Sequence, residues 1–339
     1  MIAAYLIGPG KIEFRDVPEP GPDKGEVVIK IKAALTCGTD LKAFQRGHPM
    51  IPMPGPFGHE FSGMIAKTGK GVKKFKEGDE VMGVHSAPCR QCLYCSKKLY
   101  NLCKNIMSTK VLGAYAEYLR IPEHIVKQNF FKKPSNLTFR EAAFLEPLAC
   151  VVHGMSGLKV GKNDTVLIIG TGPIGLLHLL LAKSKGARVL MAGRKKARLD
   201  FALGLGADAA VEAGGLENAV KDFTAGMGMD HVFECTGRLQ VWESSPRFAR
   251  RGGTVVMFGG VKGGTSASFD TYRLHYDELM IKGVFHFTPA DVKEAFSIIC
   301  AGLLVKSLIS GSYGLNELPL ALSRLGEGDG LKFAIEPER

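Results

Sequence analysis

The chain has 339 residues, of which 45% are hydrophobic and 23% are charged, and its formal net charge is +11. These values are typical of a soluble globular protein and allow two domains with a large core. The Lys and Arg residues are scattered rather than gathered into one stripe, which argues against reading the positive charge as a nucleic-acid-binding surface.

Neither a signal peptide nor a membrane span is predicted. The first residues, Met-Ile-Ala-Ala-Tyr, lack a basic segment followed by an apolar core. The stretch Val166–Ala182 is almost wholly apolar, but glycines and a proline interrupt it, and Asp164 and Lys183 flank it. A spanning helix needs about 20 apolar residues. We therefore expect a cytoplasmic protein.

The N-terminal region favours short strands. They are predicted over Ile2 to Ile7 and over Lys11 to Asp16. From Glu26 to Leu35 apolar residues alternate with lysines, which is the pattern of a half-buried strand. A further alternating stretch, Gly113 to Ile121, would close the barrel-like core of a first domain.

Two short polar motifs follow the alternating strand. The first is Cys37-Gly38-Thr39-Asp40 and the second is Gly58-His59-Glu60. A catalytic zinc needs three protein ligands of N, S or O type and one open position. Cys37 can supply a thiolate and His59 an imidazole, although either residue alone is more often simply a buried core residue.

Four cysteines, Cys89, Cys92, Cys95 and Cys103, form the strongest local signal in the chain. Four thiolates this close can surround one ion tetrahedrally and leave no open position, which is typical of a structural zinc site. An iron–sulfur cluster is not excluded by the cysteines themselves. A zinc ribbon for nucleic acid is a third interpretation, but it usually has two Cys pairs separated by a longer insert.

A helix is predicted to begin near Glu146-Pro147, because proline is tolerated in the first turn of a helix. Glu146, Cys150 and His153 recur at helical spacing and therefore share a face. For Cys150 and His153, buried packing is as good an interpretation as a functional one, since free cysteine is often a small core residue.

A glycine-rich turn follows the apolar run Val166 to Ile169. In Gly170-Thr-Gly172-Pro173-Ile174-Gly175, the first glycine permits a tight turn and the second lets the backbone approach a pyrophosphate. The third glycine allows close packing of helix on strand, and the helix N-terminus then faces the phosphates. Because this pattern lies between a predicted strand and a predicted helix, it indicates dinucleotide binding.

Strands and helices alternate after this turn, as in a doubly wound parallel sheet of the Rossmann type. The predicted strands are Thr165–Ile169, Arg188–Ala192, Ala209–Val211, His231–Glu234, Thr254–Phe258 and Met280–Phe285, and the helices between them include Pro173–Lys185 and Lys196–Leu205. A helix over Pro289–Ala301, a strand over Leu308–Ser312 and a helix over Asn316–Leu325 would return the chain to the first domain.

The second strand of this sheet favours NADP over NAD. NAD-binding folds place an Asp or Glu about 20 residues after the first glycine, where it binds the ribose 2′-hydroxyl. Here Gly193 stands at that position, followed by Arg194 and Lys195. Arg194 can bind a 2′-phosphate bidentately, with Lys195, Lys196 and Arg198 adding charge. These basic residues also suit the solvated face of the next helix, which is the alternative interpretation.

Residues at the ends of later strands are further cofactor candidates, because such sheets bind ligands at the carboxyl ends of their strands. They are Thr236, Phe258 and Gly259.

Five ordered motifs together resemble the zinc-containing medium-chain dehydrogenase family, which includes alcohol, sorbitol and threonine dehydrogenases. They are Cys37-Gly-Thr39-Asp, Gly58-His59-Glu60, the four cysteines, Glu146-Pro-Leu and the glycine turn. The resemblance implies an α/β protein with a β-rich, GroES-like catalytic domain over 1–149 that carries the zinc lobe at about 86–106. It also implies a Rossmann domain over 150–288 and a return segment over 289–339.

Several residue roles follow only from the resemblance. The third ligand of the catalytic zinc would be Glu146, and Glu60 would be a carboxylate beside the ligands that can approach the metal. Thr39 would take the substrate's hydroxyl proton, and Phe285 would lie near the nicotinamide. Lys42 stands where many relatives have a histidine that ends the proton relay, so Lys42, His48 and His85 all remain candidates for that step.

The sequence thus predicts a zinc-dependent dehydrogenase with two zinc ions per subunit that uses NADP, or NAD, to oxidise a secondary alcohol or polyol. The resemblance also implies a homodimer or homotetramer. A zinc-poor NADPH-dependent quinone or enone reductase is one alternative, although Cys37, His59 and Glu146 are all present. A zinc-ribbon nucleic-acid-binding protein is the alternative of another class.

Overall fold

A computed structural model describes residues 1–338 of the chain, which form two compact units. The first unit consists of Met1–Cys150 together with the chain from His286 onward, and the second unit is Val151–Phe285. The first unit is therefore discontinuous in sequence, with the whole of the second unit inserted into it.

The strands and helices are numbered in chain order. The strands are β1 (Ile2–Gly8), β2 (Lys11–Asp16), β3 (Val27–Leu35), β4 (Gly55–Pro56), β5 (Phe61–Thr68), β6 (Glu80–Gly83), β7 (Tyr118–Ile121), β8 (Phe130–Lys132), β9 (Thr165–Ile169), β10 (Arg188–Gly193), β11 (Ala209–Glu212), β12 (Met229–Glu234), β13 (Ala249–Met257), β14 (Met280–Gly283), β15 (Ile309–Tyr313) and β16 (Lys332–Ile335). The α-helices are α1 (Gly38–Arg46), α2 (Leu93–Ser96), α3 (Glu123–Gln128), α4 (Phe139–Ala142), α5 (Leu145–Met155), α6 (Pro173–Ser184), α7 (Lys196–Gly204), α8 (Leu216–Phe223), α9 (Leu239–Ser244), α10 (Thr271–Tyr276), α11 (Pro289–Cys300) and α12 (Leu318–Glu327).

The first unit is built around strand β3, which lies in the middle of its larger sheet. This sheet has the order β15-β16-β3-β5-β6-β8, and β7 also pairs with β3. Strand β3 is almost fully buried, so its apolar residues form part of one core together with Phe57, Tyr115 and Phe130. A smaller sheet of order β2-β1-β4 completes the unit.

The second unit contains one six-stranded parallel sheet of order β11-β10-β9-β12-β13-β14. The central strand β9 is buried along its whole length, as its continuous apolar run predicts. The order is that of two mononucleotide-binding halves meeting at β9, which confirms the predicted doubly wound fold. Within residues 1–338, no helix is both long and apolar enough to cross a membrane.

One predicted strand is shorter than its pattern suggests. In the stretch 113–121, only Tyr118–Ile121 joins the sheet. Gly113 has a φ of 114°, and the amides of Gly113 and Ala114 donate to the carbonyl of Gly58 instead of to a neighbouring strand. The first half of the stretch therefore pairs with the Gly58 loop and, through an isolated bridge from Ala116 to Ala3, with strand β1, without forming a continuous strand.

Other differences concern element ends and several elements that the sequence patterns did not predict, of which two bear on the metal site. Strand β13 begins at Ala249, before the predicted Thr254, and β14 ends at Gly283, before the predicted Phe285. Helix α1 directly follows Cys37, and strand β16 lies near the end of the chain. Both of these elements carry residues of the metal site described below.

His178 on helix α6 is a fully buried histidine in the core of the second unit. Its Nδ1 lies 2.9 Å from the carbonyl oxygen of Ile174, and its ring contacts Phe233 and Phe258. Burial lowers the pKa of His178 to about 4. The folded protein therefore keeps this imidazole neutral under conditions where an unfolded chain, with a histidine pKa near 6.5, would protonate it.

We expect His178 to make the second unit less stable as the pH falls from about 6.5 to 4. Because the unfolded state binds the proton first, the loss approaches about 3 kcal/mol at pH 4. Unfolding by urea can be followed through Trp242, the single tryptophan, which lies in the same unit. His178→Leu should flatten this part of the pH dependence, and His275→Leu, at an exposed position of that unit, should not. Equal slopes in the wild type and in His178→Leu would contradict the assignment.

Candidate functional site

The four cysteines of the predicted zinc lobe converge on one point. Their sulfur atoms all lie within 4.8 Å of one another, with separations of 3.5 Å for Cys89–Cys103, 3.6 Å for Cys92–Cys95 and 3.9 Å for Cys92–Cys103. A tetrahedron with zinc–sulfur bonds of about 2.3 Å has edges of about 3.8 Å. The four sulfurs therefore fit a closed zinc site.

Backbone amides prepare the sulfurs of the lobe for metal binding. The amide of Lys104 donates to the sulfur of Cys92, and the amide of Cys89 donates to that of Cys103. The backbone amides of Cys95 and Lys104 lower the pKa of Cys92 to about 6, whereas burial raises that of Cys95 to about 12. The amides thus favour the thiolate form at only part of the site. A bound metal ion would complete the deprotonation of the remaining cysteines.

A second group of possible ligands lies at the end of strand β3. The ligand atoms of Cys37, His59 and Glu60 lie within 4.8 Å of one another. Cys37 is the N-cap of helix α1, and its sulfur accepts the amide of Thr39 at 3.4 Å. The structure thus brings together Cys37 and His59, the two ligands proposed from residue chemistry.

His59 is oriented by a buried carboxylate that the sequence motif contained but did not identify as functional. The Nδ1 of His59 lies 3.0 Å from Oδ1 of Asp40, and the hydroxyl of Tyr115 donates to Oδ2 of Asp40 at 2.7 Å. Burial lowers the pKa of His59, but Asp40 and Cys37 favour the protonated ring and raise this pKa above its usual value. Such a carboxylate fixes the imidazole and leaves its other nitrogen to face a metal.

Glu60 is held by a lysine that the sequence motifs did not reveal. The Nζ of Lys332 on strand β16 donates to both oxygens of Glu60, at 2.7 and 2.5 Å, and to the carbonyl oxygen of Thr36 at 2.9 Å. Glu60 is completely buried and Lys332 is 2% exposed. Burial raises the pKa of Glu60, while Lys332 acts in the opposite direction. The only sequence signal for this residue is a lysine inside the apolar run that forms β16.

Glu146 lies near this group but is not part of the 4.8 Å set found among residues 1–338. Its Oε1 is 3.6 Å from Nδ1 of His85, and the thiol of Cys150, one helical turn later, donates to it at 3.7 Å. Burial raises the pKa of Glu146 to about 7, with Glu60 acting in the same direction and His59 against it. Glu146 is thus a buried carboxyl within electrostatic range of the other candidate ligands.

The remaining relay candidates lie on or near helix α1. Thr39 and Lys42 are both half-buried on this helix. Burial lowers the pKa of His48, and the charge of Lys42 lowers it further, so these two side chains are close in electrostatic terms. The Nδ1 of His48 accepts the amide of Met50 at 3.3 Å.

The glycine turn of the second unit has the geometry that its spacing predicts. Gly170 has a φ of 122°, and a Cβ on Gly175 would lie 1.9 Å from the carbonyl oxygen of Gly170, so helix α6 packs closely on the turn. Gly172 is the N-cap of α6, Pro173 and Ile174 form its first turn, and open space surrounds the Cβ position of Gly172. The unpaired amides of this twelve-residue helix suit a phosphate group.

The basic segment after strand β10 is divided between exposed and structural side chains. Arg194, Lys195 and Lys196 are all exposed, and Lys196 also forms an ion pair with Asp200. The Nη1 of Arg198 donates to the carbonyl oxygen of Thr171 in the glycine turn at 3.4 Å, and burial lowers the pKa of Arg198. Arg198 therefore braces the turn.

Gly193 leaves no room for a larger residue. A Cβ there would lie 2.8 and 3.0 Å from the side chain of Thr171. Its partner across the sheet is Glu212, an exposed residue on strand β11.

The other cofactor candidates lie at or near the carboxyl ends of their strands. The amide and hydroxyl of Thr236 both donate to Glu234, and the amide of Phe258 donates to the carbonyl oxygen of Glu234 at 3.0 Å. A Cβ on Gly259 would lie 2.2 Å from the amide nitrogen of Gly237. Phe285 lies two residues beyond the end of β14 and is exposed.

Comparisons with known proteins identify relatives along nearly the whole chain. A family model for an alcohol dehydrogenase GroES-like domain matches residues 23–132, and one for a zinc-binding dehydrogenase matches residues 173–300. A sorbitol dehydrogenase from Halalkalibacterium halodurans is 31% identical over 339 residues, which cover 97% of each chain.

Two crystal structures share the fold over 99% of both chains. One is a protein from Sinorhizobium meliloti 1021 bound to NADP, with a TM-score of 0.89 and 29% identity. The other is 2R,3R-butanediol dehydrogenase from Bacillus subtilis, with a TM-score of 0.87 and 25% identity. These matches confirm the predicted GroES-like domain and the predicted family resemblance.

We expect Cys92→Ser to lower the zinc content by one ion per chain and to lower the thermal midpoint of the first unit. The four-sulfur site would lose one of its ligands, and a structural zinc stabilises its lobe directly. Dinucleotide binding should persist, because the glycine turn belongs to the other unit. Metal analysis, calorimetry and cofactor titration would measure the three quantities. Cys300→Ser, outside the lobe, is the matched control, and unchanged zinc content in Cys92→Ser would contradict the site.

Proposed function

The chain belongs to the zinc-containing medium-chain dehydrogenase family, and from this membership we propose that it is a zinc-dependent, NADP-preferring oxidoreductase acting on a secondary alcohol or polyol. The product would be the ketone or aldehyde. The observation that carries the proposal is the convergence of the half-buried Cys37 with the buried His59 and Glu60, and with Glu146 beside them, in the same chain as a glycine turn suited to a dinucleotide.

The ligands we propose for the catalytic zinc are Cys37, His59 and Glu146, with Cys89, Cys92, Cys95 and Cys103 holding a second, structural ion. The donor chemistry fits zinc, which takes thiolate, imidazole and carboxylate ligands. Glu60 is already occupied by two contacts to Lys332, which supports its proposed place outside the ligand set. When bound, zinc would supply a Lewis acid that lowers the pKa of the substrate hydroxyl, and the nicotinamide would accept the hydride.

The protein's own residues would orient the ligands and move the proton. Asp40 holds the ring of His59, so that the imidazole keeps one orientation. The alcohol loses a hydride and a proton, and we propose that the Thr39 hydroxyl receives the proton and passes it on. The position of Lys42 on the same helix, with His48 in its electrostatic field, supports these two residues as candidates for the next step.

The preference for NADP rests on the charge after strand β10. Arg194 and Lys195 are exposed there, and a glycine replaces the acidic residue that would repel a 2′-phosphate. The S. meliloti relative was solved with NADP, which supports the proposal.

The proposed substrate class rests on the substrates after which two relatives are named and on the polar side chains around the proposed zinc ligands. Sorbitol and 2,3-butanediol, after which two relatives are named, both carry hydroxyl groups on neighbouring carbons. A homodimer or homotetramer is also proposed from the family resemblance.

The function is tested by following reduced nicotinamide with zinc-loaded protein, NAD or NADP, and a panel of secondary alcohols, polyols and threonine. We expect turnover with at least one alcohol or polyol, loss of activity after chelation, and recovery when zinc is added. No turnover with any member of the panel, with zinc content and cofactor binding verified, would contradict the proposed substrate class.

We expect Arg194→Ala to lower kcat/KM for NADP about tenfold while changing kcat/KM for NAD much less. An arginine bound to a phosphate forms charge-assisted hydrogen bonds, and NAD has no 2′-phosphate. Lys196→Ala is the matched control, since Lys196 is paired with Asp200. We prefer Arg194→Ala to a substitution at Gly193, where the Thr171 side chain leaves no room. An equal loss with both cofactors would contradict the assignment.

A further inference from the structure

A cluster of side chains around His85 lies beside the candidate zinc ligands in the first unit. Its other members are Ser86, His286 and Phe287. The ring of His85 lies 5.2 Å from that of His59, 5.3 Å from that of His286 and 5.9 Å from that of Phe287. The carbonyl oxygen of His85 accepts the amide of Val111 at 2.7 Å, which fixes its backbone.

His85 carries a buried nitrogen without a hydrogen-bond partner among the described residues. The residue is 7% exposed, and its Nδ1 is a buried atom. The nearest carboxylate, Oε1 of Glu146, is 3.6 Å away, which is too far for a hydrogen bond. Leaving such a group unpaired is costly, so an unpaired nitrogen beside a proposed active site indicates a place where a ligand supplies the missing partner.

The imidazole of His85 can act as a hydrogen-bond acceptor through Nδ1. Glu146 is the acidic group that faces it. A neutral imidazole has one nitrogen that donates and one that accepts, so Nδ1 can accept a hydrogen bond from a hydroxyl group.

His286 is held against His85 by an unusual backbone conformation. Its φ is +62°, in the left-handed region that few residues other than glycine adopt. Its Nε2 lies 2.6 Å from Oγ of the buried Ser86, and its ring stacks on Phe287 at 4.0 Å. Strain of this kind persists where the surrounding structure enforces it, and such sites are often functional.

We propose that His85 recognises a second substrate hydroxyl, on the carbon next to the one that is oxidised, so that the enzyme is selective for vicinal diols and polyols over simple alcohols. The inference rests on the proposed function. The substrate oxygen that reacts would lie next to the proposed zinc ligands Cys37, His59 and Glu146. Nδ1 of His85 is beside this group, because it lies 3.6 Å from Oε1 of Glu146. The neighbouring hydroxyl would donate to Nδ1, and His286 would limit the space on the other side.

The selectivity follows from the cost of leaving Nδ1 unpaired. A substrate with a neighbouring hydroxyl satisfies this nitrogen, whereas a simple secondary alcohol places a carbon there. A site built to hydrogen-bond a hydroxyl rejects the analogue that lacks it much more strongly than an apolar pocket can separate substrates by size.

The test compares 2,3-butanediol, as separate stereoisomers, with 2-butanol, which differs by one hydroxyl. For wild type we expect a larger kcat/KM with at least one diol isomer. In His85→Phe, which replaces the imidazole with an apolar ring, the ratio of diol to monoalcohol kcat/KM should fall about tenfold to hundredfold. His85→Gln keeps hydrogen-bonding atoms and should recover part of the ratio. His275→Phe, at an exposed position of the second unit, should leave the ratio as in wild type.

Equal losses with both substrates in His85→Phe would overturn the proposal, because they would show that His85 acts through Glu146 or the metal. An unchanged ratio would also overturn it. If wild type oxidises no alcohol, the proposed function fails, and the proposal for His85 is decided by binding. Calorimetry of zinc-loaded protein with reduced cofactor, where no oxidation can occur, would then have to show tighter binding of the diol in wild type than in His85→Phe. Equal dissociation constants would overturn the proposal in that case as well.

Discussion

The arrangement of the proposed catalytic zinc site depends on the contact between Lys332 and Glu60. Both groups are almost completely removed from solvent, and a buried ion pair is stable only when its geometry is good and its remaining polar atoms are satisfied. The lysine meets this condition with the carbonyl oxygen of Thr36 as a further acceptor. Because Glu60 is neutralised in this way, Asp40 and Glu146 can lie buried nearby, and a divalent cation would balance the acidic groups that remain.

The elements that local sequence determines were predicted well. Strand β9, the glycine turn and helix α6 follow one another within twenty residues, and the roles of Gly170, Gly172 and Gly175 depend on their spacing alone. The cysteine lobe could be predicted in the same way, because the short spacing of its four cysteines in the sequence keeps their sulfurs close together. In both cases the deciding geometry lies inside a single short segment, where local pattern is sufficient to predict it.

Residues that act through distant contacts could not be predicted in the same way. Lys332 and Glu60 are 272 positions apart, and no periodic pattern relates them. Asp40 was visible within the Cys37 motif, but its function depends on Tyr115, which reaches it from a loop that the alternating pattern had suggested was a strand. Arg198 is predicted to add charge near a phosphate, and its contact with Thr171 could not be predicted because it depends on how helix α7 packs against the turn.

The division of the first unit has a consequence for synthesis on the ribosome. The second unit is continuous from Val151 to Phe285, so it can fold as soon as those residues have emerged. Strand β16 pairs with β3 and delivers Lys332, so the early residues Cys37, His59 and Glu60 must wait for a segment that is translated after the whole second unit. Until then, a buried acidic side chain lacks its counter-charge and a central strand lacks a neighbour. Nascent chains of this protein are therefore most exposed to aggregation and to premature metal capture while the second unit is already complete.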